Sequence, residues 1–514
     1  MPEFPPEIFL AIFSFLDARS LTSCQQVCQS FLALINETVA LEYTNELARH
    51  GYVDHAAALP SPYRLDRLRE HSNAWNRLDG STWSEIVSNF PFSQEFSGNV
   101  LARRDVPGGP IVFTRLPSSS RSVGQKEWSI PFKSGLDNFQ FGMDSSQDLL
   151  VLVELERLEP NLSFQFRLLF MSSGKAHELA SIPILKYAHN VPAHGVVFAM
   201  HISGDHLGVE FGYNHVTTAD SEIVIWNWKT GHKELYLTGR EIYSFSFLTE
   251  KHVVVTVSTG TELRLLVVDF IAESSEQIRV TVTNMTHYLT LRLPNLHPSH
   301  ILSGFTIRCD PSPAWPNQDD SIPFHVHPDE ILYPVTLLMG EGLGRYRIII
   351  LIPRRTLLAQ LRHFVTGTKE VEWSAWGPEG TRILDFRKRA GRHVAWATFG
   401  SRFVAFDNDR LEINVYDFNQ MTLRREQSSG CPLQYGNPNE ILRPPVNQDD
   451  PTMLVIDDAV LPSDSLIFQE VVRTSLPFRA RTVPTTLERK QYFPLMCSPD
   501  NIIIVASEYH IFTL

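Results

Sequence analysis

The sequence is short of cysteine, of long apolar runs and of positive charge, and each shortage closes off a class of function. Five cysteines, at positions 24, 28, 309, 431 and 497, stand in 514 residues. So odd and scattered a set is no secreted disulfide framework and fits a reducing, intracellular compartment, cytoplasmic or nuclear. No apolar stretch approaches the roughly 18 residues of a membrane-spanning helix. The first basic residue is Arg19, after Glu3 and Glu7, so the positive start of a secretory signal is missing. Lys and Arg number 45 against 57 Asp and Glu, a formal net charge of −12, which argues against a broad footprint for nucleic acid. Neither a nucleic acid nor a membrane is an expected partner.

Catalytic signatures are missing too. There is no G-x-S-x-G elbow, no H-E-x-x-H and no kinase set. GEGLG at 340–344 lacks the Lys-Ser/Thr ending of a phosphate loop and reads as a hairpin turn. No catalytic residue, metal or cofactor is expected, and an enzyme with acids around a central channel is the weakest of the readings considered.

What is present begins with PPEIFLAIFSFLDARSLTSCQQVCQSFLALI, residues 5–35, in which eight of the nine residues from Ile8 to Leu16 are apolar. A proline in the first turn costs a helix only a donor that lacks a partner anyway, so a helix is expected from about Pro6 to Leu16. Ser20 is placed to cap a second helix beginning at Leu21. Leu21, Cys24, Val27, Cys28, Phe31, Leu34 and Ile35 then recur at steps of three and four, and helix continues to about Arg49. Cys24 and Cys28 offer two thiolates at helical spacing. With no second Cys/His pair at structural-zinc spacing, they read as small core hydrophobes. After a breaker stretch, Leu65, Leu68, Trp75 and Leu78 form one apolar edge of a further helix, either a rigid connector or an exposed linker.

From about Trp83 the period becomes two, in short runs bounded by turn residues. FQFGMDSSQDLLVLVE, VVFAMHISGDHLGVEF, YSFSFLTEKHVVVTVS and HVAWATFGSRFVAFDN each lead to another strand pattern. Units of roughly 45 residues match propeller blades, six to eight of them. IVIWNWKTG resembles the third strand and turn of a WD repeat, with Trp228 and Lys229 where its tryptophan and aspartate usually stand. The final segment NIIIVASEYHIFTL is expected to close the ring by pairing with strands from about Phe96 to Leu116. PSPAWPNQDDSIPFHVHPDE, with Asp319, Asp320, His325, His327 and Asp329, reads as a solvated loop before it reads as a metal site. Trp315, Arg345 and Arg347 are candidate contacts on loops, each more simply plain surface.

A lone helical unit of this size cannot hide the apolar residues on every side of its first helix, and a helical partner groove is the natural solution. The order of residues narrows it further: the segment resembles an F-box, with Pro5, Pro6, Glu7 and Ile8 as its start, Ile12, Phe13 and Leu16 in its helix, and Leu21, Cys24, Val27, Cys28 and Phe31 in its second half. Phe4 stands where leucine is usual and Phe31 where tryptophan is common. The whole arrangement looks like a group of fungal F-box proteins. The resemblance implies that these twelve residues bind a Skp-type linker subunit, which joins a cullin-RING ubiquitin ligase, while a WD-like β-propeller selects protein substrates. Its substrate-binding residues stay unknown. The expected fold is α plus all-β: an F-box over 1–48, a helical connector over 49–82, and a propeller over 83–514. An F-box scaffold outside any ligase is the alternative.

Overall fold

The computed structural model describes the chain from Phe4 to Leu514 apart from 56–57, 79–81, 88–92, 107, 119–120, 122, 132–139, 159–160, 190–195, 214–219, 274–278, 315–322, 341–345, 387–393, 429–451, 457, 462–466, 489–493 and 507. Four short helices come first: α1 (Pro6–Phe13), α2 (Ala18–Gln25), α3 (Gln29–Glu37) and α4 (Val39–His50). The first ends three residues earlier than the apolar run suggests. The second is capped by Asp17, whose Oδ1 accepts from the Ser20 amide at 2.8 Å, so Ser20 lies inside the helix. Phe13, Leu21, Ile35 and Leu41 form the buried centre of this unit. Gly51, with φ +71°, ends α4 in a left-handed turn that an L side chain would strain. The chain then runs through a short strand, Tyr52–Asp54, into α5 (Ser61–Arg77).

The rest is a propeller of seven blades, spanning 93–130, 140–189, 196–239, 242–292, 302–385, 394–484 and 495–513. Each is built on four antiparallel strands, and the four repeat pairs quoted above fall in blades two, three, four and six. Blades three, four and six each gain a fifth strand at their outer edge. The ring closes differently from the sequence expectation. Glu508–Thr513 pairs with Thr82–Val87, from Thr82 opposite Thr513 to Val87 opposite Glu508, and the Phe96–Leu116 strands belong to the next blade. They meet the closing blade face to face, Leu101 and Leu116 packing on Ile503, Val505 and Ile511. Trp228 follows the third strand of its blade, buried, with Nε1 donating to the Gly204 carbonyl at 2.9 Å.

Because strands alternate in direction, the turns joining first to second and third to fourth strands all emerge on one face. The helical unit sits there. Asn419 Nδ2 and Thr422 Oγ1, after the third strand of blade six, donate to the Arg49 carbonyl at 3.1 and 3.0 Å. Trp75 Nε1 donates to Pro499 O at 2.7 Å, in the first turn of the closing blade. The described end of the long insertion after the first strand of blade five is not the solvated loop its composition suggests: Phe324–Val326 pairs antiparallel with Tyr52–Asp54. Leu65, Leu68, Trp75 and Leu78 are all buried. At about 1.5–3 kcal/mol for each large apolar side chain fully buried, α5 is a connector bound to the propeller.

A buried polar chain completes the seat. Arg402 Nη1 donates to Tyr52 Oη at 3.2 Å, and Tyr52 Oη lies 2.8 Å from His71 Nε2. His71 Nδ1 is 3.4 Å from Asp500 Oδ1, and Arg121 Nε holds both Asp500 oxygens at 3.0 and 2.9 Å. Burial pushes His71 down to about 4 against the pull of the Asp500 carboxylate. Burial alone raises Asp500, but the Arg121 charge and the bonds from His71 and Arg121 outweigh it and hold the carboxyl far below its usual range. A neutral His71 carrying its proton on Nδ1, facing Asp500 and accepting from Tyr52 at Nε2, satisfies every link.

Candidate docking surface

α1 lies on the small helical core by one side only. Phe13 is 2% exposed, and Phe9 and Phe31 pack beside it, their rings tilted, with centroids 5.0 Å apart. The other side is bare: Phe4, Ile8, Ile12 and Phe15 are 60, 46, 51 and 90% exposed. Ile8 and Ile12, a step of four apart, lie along one edge of the helix; Phe4 precedes it and Phe15 follows its C-terminal end. Val27, at the end of α2, is 68% exposed. Five large apolar side chains in contact with water on so small a unit mark an interaction surface.

The twelve residues of the sequence motif divide into three groups. Pro5, Pro6, Glu7, Ile8, Ile12, Val27 and Cys28 are exposed; Leu16, Cys24 and Phe31 are partly buried; Phe13 and Leu21 are interior. Cys28 is the N-cap position of α3 and exposed, so the reading of both cysteines as core residues holds for neither fully. Phe4 and Phe15 belong to the ridge without being among those twelve residues, although Phe4 stands at the motif's usual leucine position. Phe4 precedes the helix, so helical spacing does not reach it, and its signal is its place at the start of the motif. Phe15 lies just past the helix end, and its bulk in an unpaired position was its only signal. Asp17, fully exposed, has its carboxyl lowered by the hydrogen bonds from Ser20.

Among the described residues no three His, Cys, Asp or Glu side chains gather as a metal site. His325 lies in the strand paired with Tyr52–Asp54, His327 Nδ1 accepts from the Asp329 amide at 3.1 Å, and Asp329 pairs with Arg354 at 3.2 Å. Asp319, Asp320, Trp315, Arg345 and the GEGLG turn from Glu341 onward lie outside the described residues; Arg347 is on the third strand of blade five. Around the inner strands, Glu95, His201 and Glu210 share the field of Arg308. Burial raises Glu210 to about 7 against that charge and pushes His201 down to about 3, whereas the Glu95 side chain is exposed. These groups form a polar inner lining.

Residues 1–41 match the F-box-like family. No curated protein is significantly similar to the chain in sequence. Solved structures similar to it include Hsv2 of Kluyvelomyces marxianus, at 10% identity over 81% of this chain and 89% of that one, with a TM-score of 0.34. Virginiamycin B lyase of Staphylococcus aureus gives 9% identity over 84% and 99%, with a TM-score of 0.34. The WD40 domain of Toxoplasma gondii coronin gives 9% over 84% and 85%, with a TM-score of 0.36. Family match and topology together describe an F-box-like segment at 1–41 mounted by helices on a seven-bladed β-propeller, the make-up of an F-box protein.

Proposed function

We propose that this chain is a non-catalytic substrate adaptor of an SCF-type cullin-RING ubiquitin ligase. The single observation that carries the reading is the apolar ridge of Phe4, Ile8, Ile12 and Phe15, exposed on an F-box-like unit and left uncovered by the described residues. Burying a large apolar side chain is worth about 1.5–3 kcal/mol, so the ridge favours association by several kcal/mol before the entropy of association is subtracted. A Skp-type linker with a helical groove is the partner of matching chemistry. The exposed motif residues Pro5, Pro6, Glu7, Ile8, Ile12, Val27 and Cys28 are assigned to the contact, with Leu16, Cys24 and Phe31 at its border. Phe13 and Leu21 act by holding the unit together. The propeller face away from the helical unit is left for a protein target.

Co-expression with a Skp-type linker tests the reading. The wild type is expected to co-purify with the linker; Ile12→Asp and Phe15→Asp are expected to lose it while keeping the unfolding transition of the wild type. Retention of the linker by both variants sinks the docking surface. Leu16→Asp is a weaker probe, because Leu16 also packs on the helical core. Recovery of a cullin with the linker separates a ligase adaptor from an F-box scaffold that uses the linker alone.

A further inference from the structure

Blades one and two, the first turn of the closing blade, the helical unit and the insertion of blade five together enclose a cavity of about 340 Å³. Small-molecule sites occupy about 300–1,000 Å³ and are mostly apolar with a few placed polar groups. This cavity has that make-up: Val100, Val123, Met171 and Phe324 give it aliphatic and aromatic walls, and Trp128 offers an indole. Its charge is one-sided.

Arg115 and Lys126 both line it and stand directly opposite each other on neighbouring strands of blade one. Directly paired residues project from the same face with Cβ atoms about 4.5–5.5 Å apart, and like charges there repel. Lys126 is exposed at the rim, where water screens the repulsion, and no carboxylate among the described residues pairs with either cation. The side-chain bond of Arg115 goes to the neutral Gly124 carbonyl at 3.1 Å, and the ammonium of Lys126 rests 5.5 Å from the Trp128 ring centroid. A third cation on the wall, Arg121, is already neutralised by Asp500. The carboxylate on the wall, Asp148, accepts from the Ser172 amide at 2.7 Å. The histidines His71 and His325 are each pushed by burial down to about 4, so neither adds charge at neutral pH.

We infer that the cavity binds a small organic anion, an apolar body bearing one carboxylate, with the carboxylate between Arg115 and Lys126 and the body against Trp128 and the aliphatic wall. A carboxylate accepts the planar fork of an arginine and the point charge of a lysine together. It removes the cross-strand repulsion as it binds. Walls from the helical unit and from the propeller meet around the ligand, so binding also tightens the seat of one on the other. None of this depends on the adaptor reading, and linker co-purification is expected to be the same with and without ligand.

The test uses the full chain, 8-anilinonaphthalene-1-sulfonate as the fluorescent reporter, and decanoate and decan-1-ol as competitors. Decanoate is expected to displace the reporter from a single saturable site, and decanol at equal concentration to leave it bound. Lys126→Glu places a carboxylate opposite Arg115. It is expected to weaken decanoate by about tenfold or more while the melting temperature stays equal or rises, which separates a lost site from a lost fold. The neighbouring Glu127→Gln, on the other face of the strand, is expected to bind decanoate as the wild type does. Arg115→Gln combined with Lys126→Gln serves if the first variant does not fold. Equal competition by decanol, undiminished decanoate binding by the lysine variant, or no saturable site at all overturns the proposal.

Discussion

At the scale of single residues, the joint between the helices and the propeller rests on a few buried polar groups. Removing one member of a buried charged pair strands the other, at about 3–5 kcal/mol. Asp500→Asn is therefore expected to destabilise the protein by roughly that much, read by denaturant unfolding at pH 7. Since the folded carboxyl titrates below the unfolded value near 3.9, its contribution is fully present above that value and lost only as pH falls further. The deficit of the variant is expected to be the same at pH 5 as at pH 8. A deficit that halves by pH 5 refutes the assignment. Glu210 behaves oppositely. Burial raises it to about 7, so between about 4.5 and 7 the folded state holds a proton that the unfolded state has released, and stability from this group falls as pH rises through that window. Glu210→Gln keeps an oxygen for the Phe245 amide, which lies 3.1 Å from Oε2. The variant is expected to be more stable than the wild type at pH 8 and indistinguishable from it at pH 5, by thermal unfolding at both.

At the scale of elements, the strand Thr82–Val87 closes the ring although it comes from the opposite end of the chain. Ser84 and Glu85 stand opposite Ile511 and His510, and because antiparallel pairing alternates one of the two amides faces the ladder, so one of Ser84→Pro and Glu85→Pro removes a ladder donor and is expected to cost about 1–3 kcal/mol. Thermal unfolding checks it, and hydrogen exchange in Asn501–Val505 should rise with it; unchanged protection there counts against this strand as the closure. The sequence carried the helices well, because a stripe at steps of three and four is local, and the F-box-like motif is legible in Pro5 to Phe31 for the same reason. Blade pairs were legible wherever a turn separated two alternating runs. What was not legible is non-local. Nothing near residue 325 reveals a partner at residue 53, and nothing in TWSEIV distinguishes a closing strand from the strands that follow it. The blade number stayed open because helices and extra strands interrupt the third-to-fourth connections of blades five and six. Within the candidate site, spacing identified the motif but not its exposed face: Phe13 and Ile12 look alike in sequence, and only packing against Phe9, Phe31 and Leu21 decides which one turns inward.

At the scale of the whole molecule, the helical unit and the propeller form a continuous solid. α5 buries its apolar edge, Arg402 lies 4.3 Å from the Trp75 ring, and Arg479 donates to Asn76 at 2.7 Å. The amides of α5 are thus expected to exchange with solvent as slowly as those of blades six and seven and in the same cooperative unit. Exchange of α5 through early local opening speaks against rigid mounting. The pairing of first and last segments has a further consequence in time. A ribosome releases the F-box-like helices first, yet their seat is made from Phe324, Asn419, Arg479 and Asp500, which emerge hundreds of residues later. A nascent or prematurely terminated chain therefore displays the docking helices with nothing to hold them in a fixed direction. Only the polypeptide synthesised through Asp500 fixes the direction in which those helices point from the propeller.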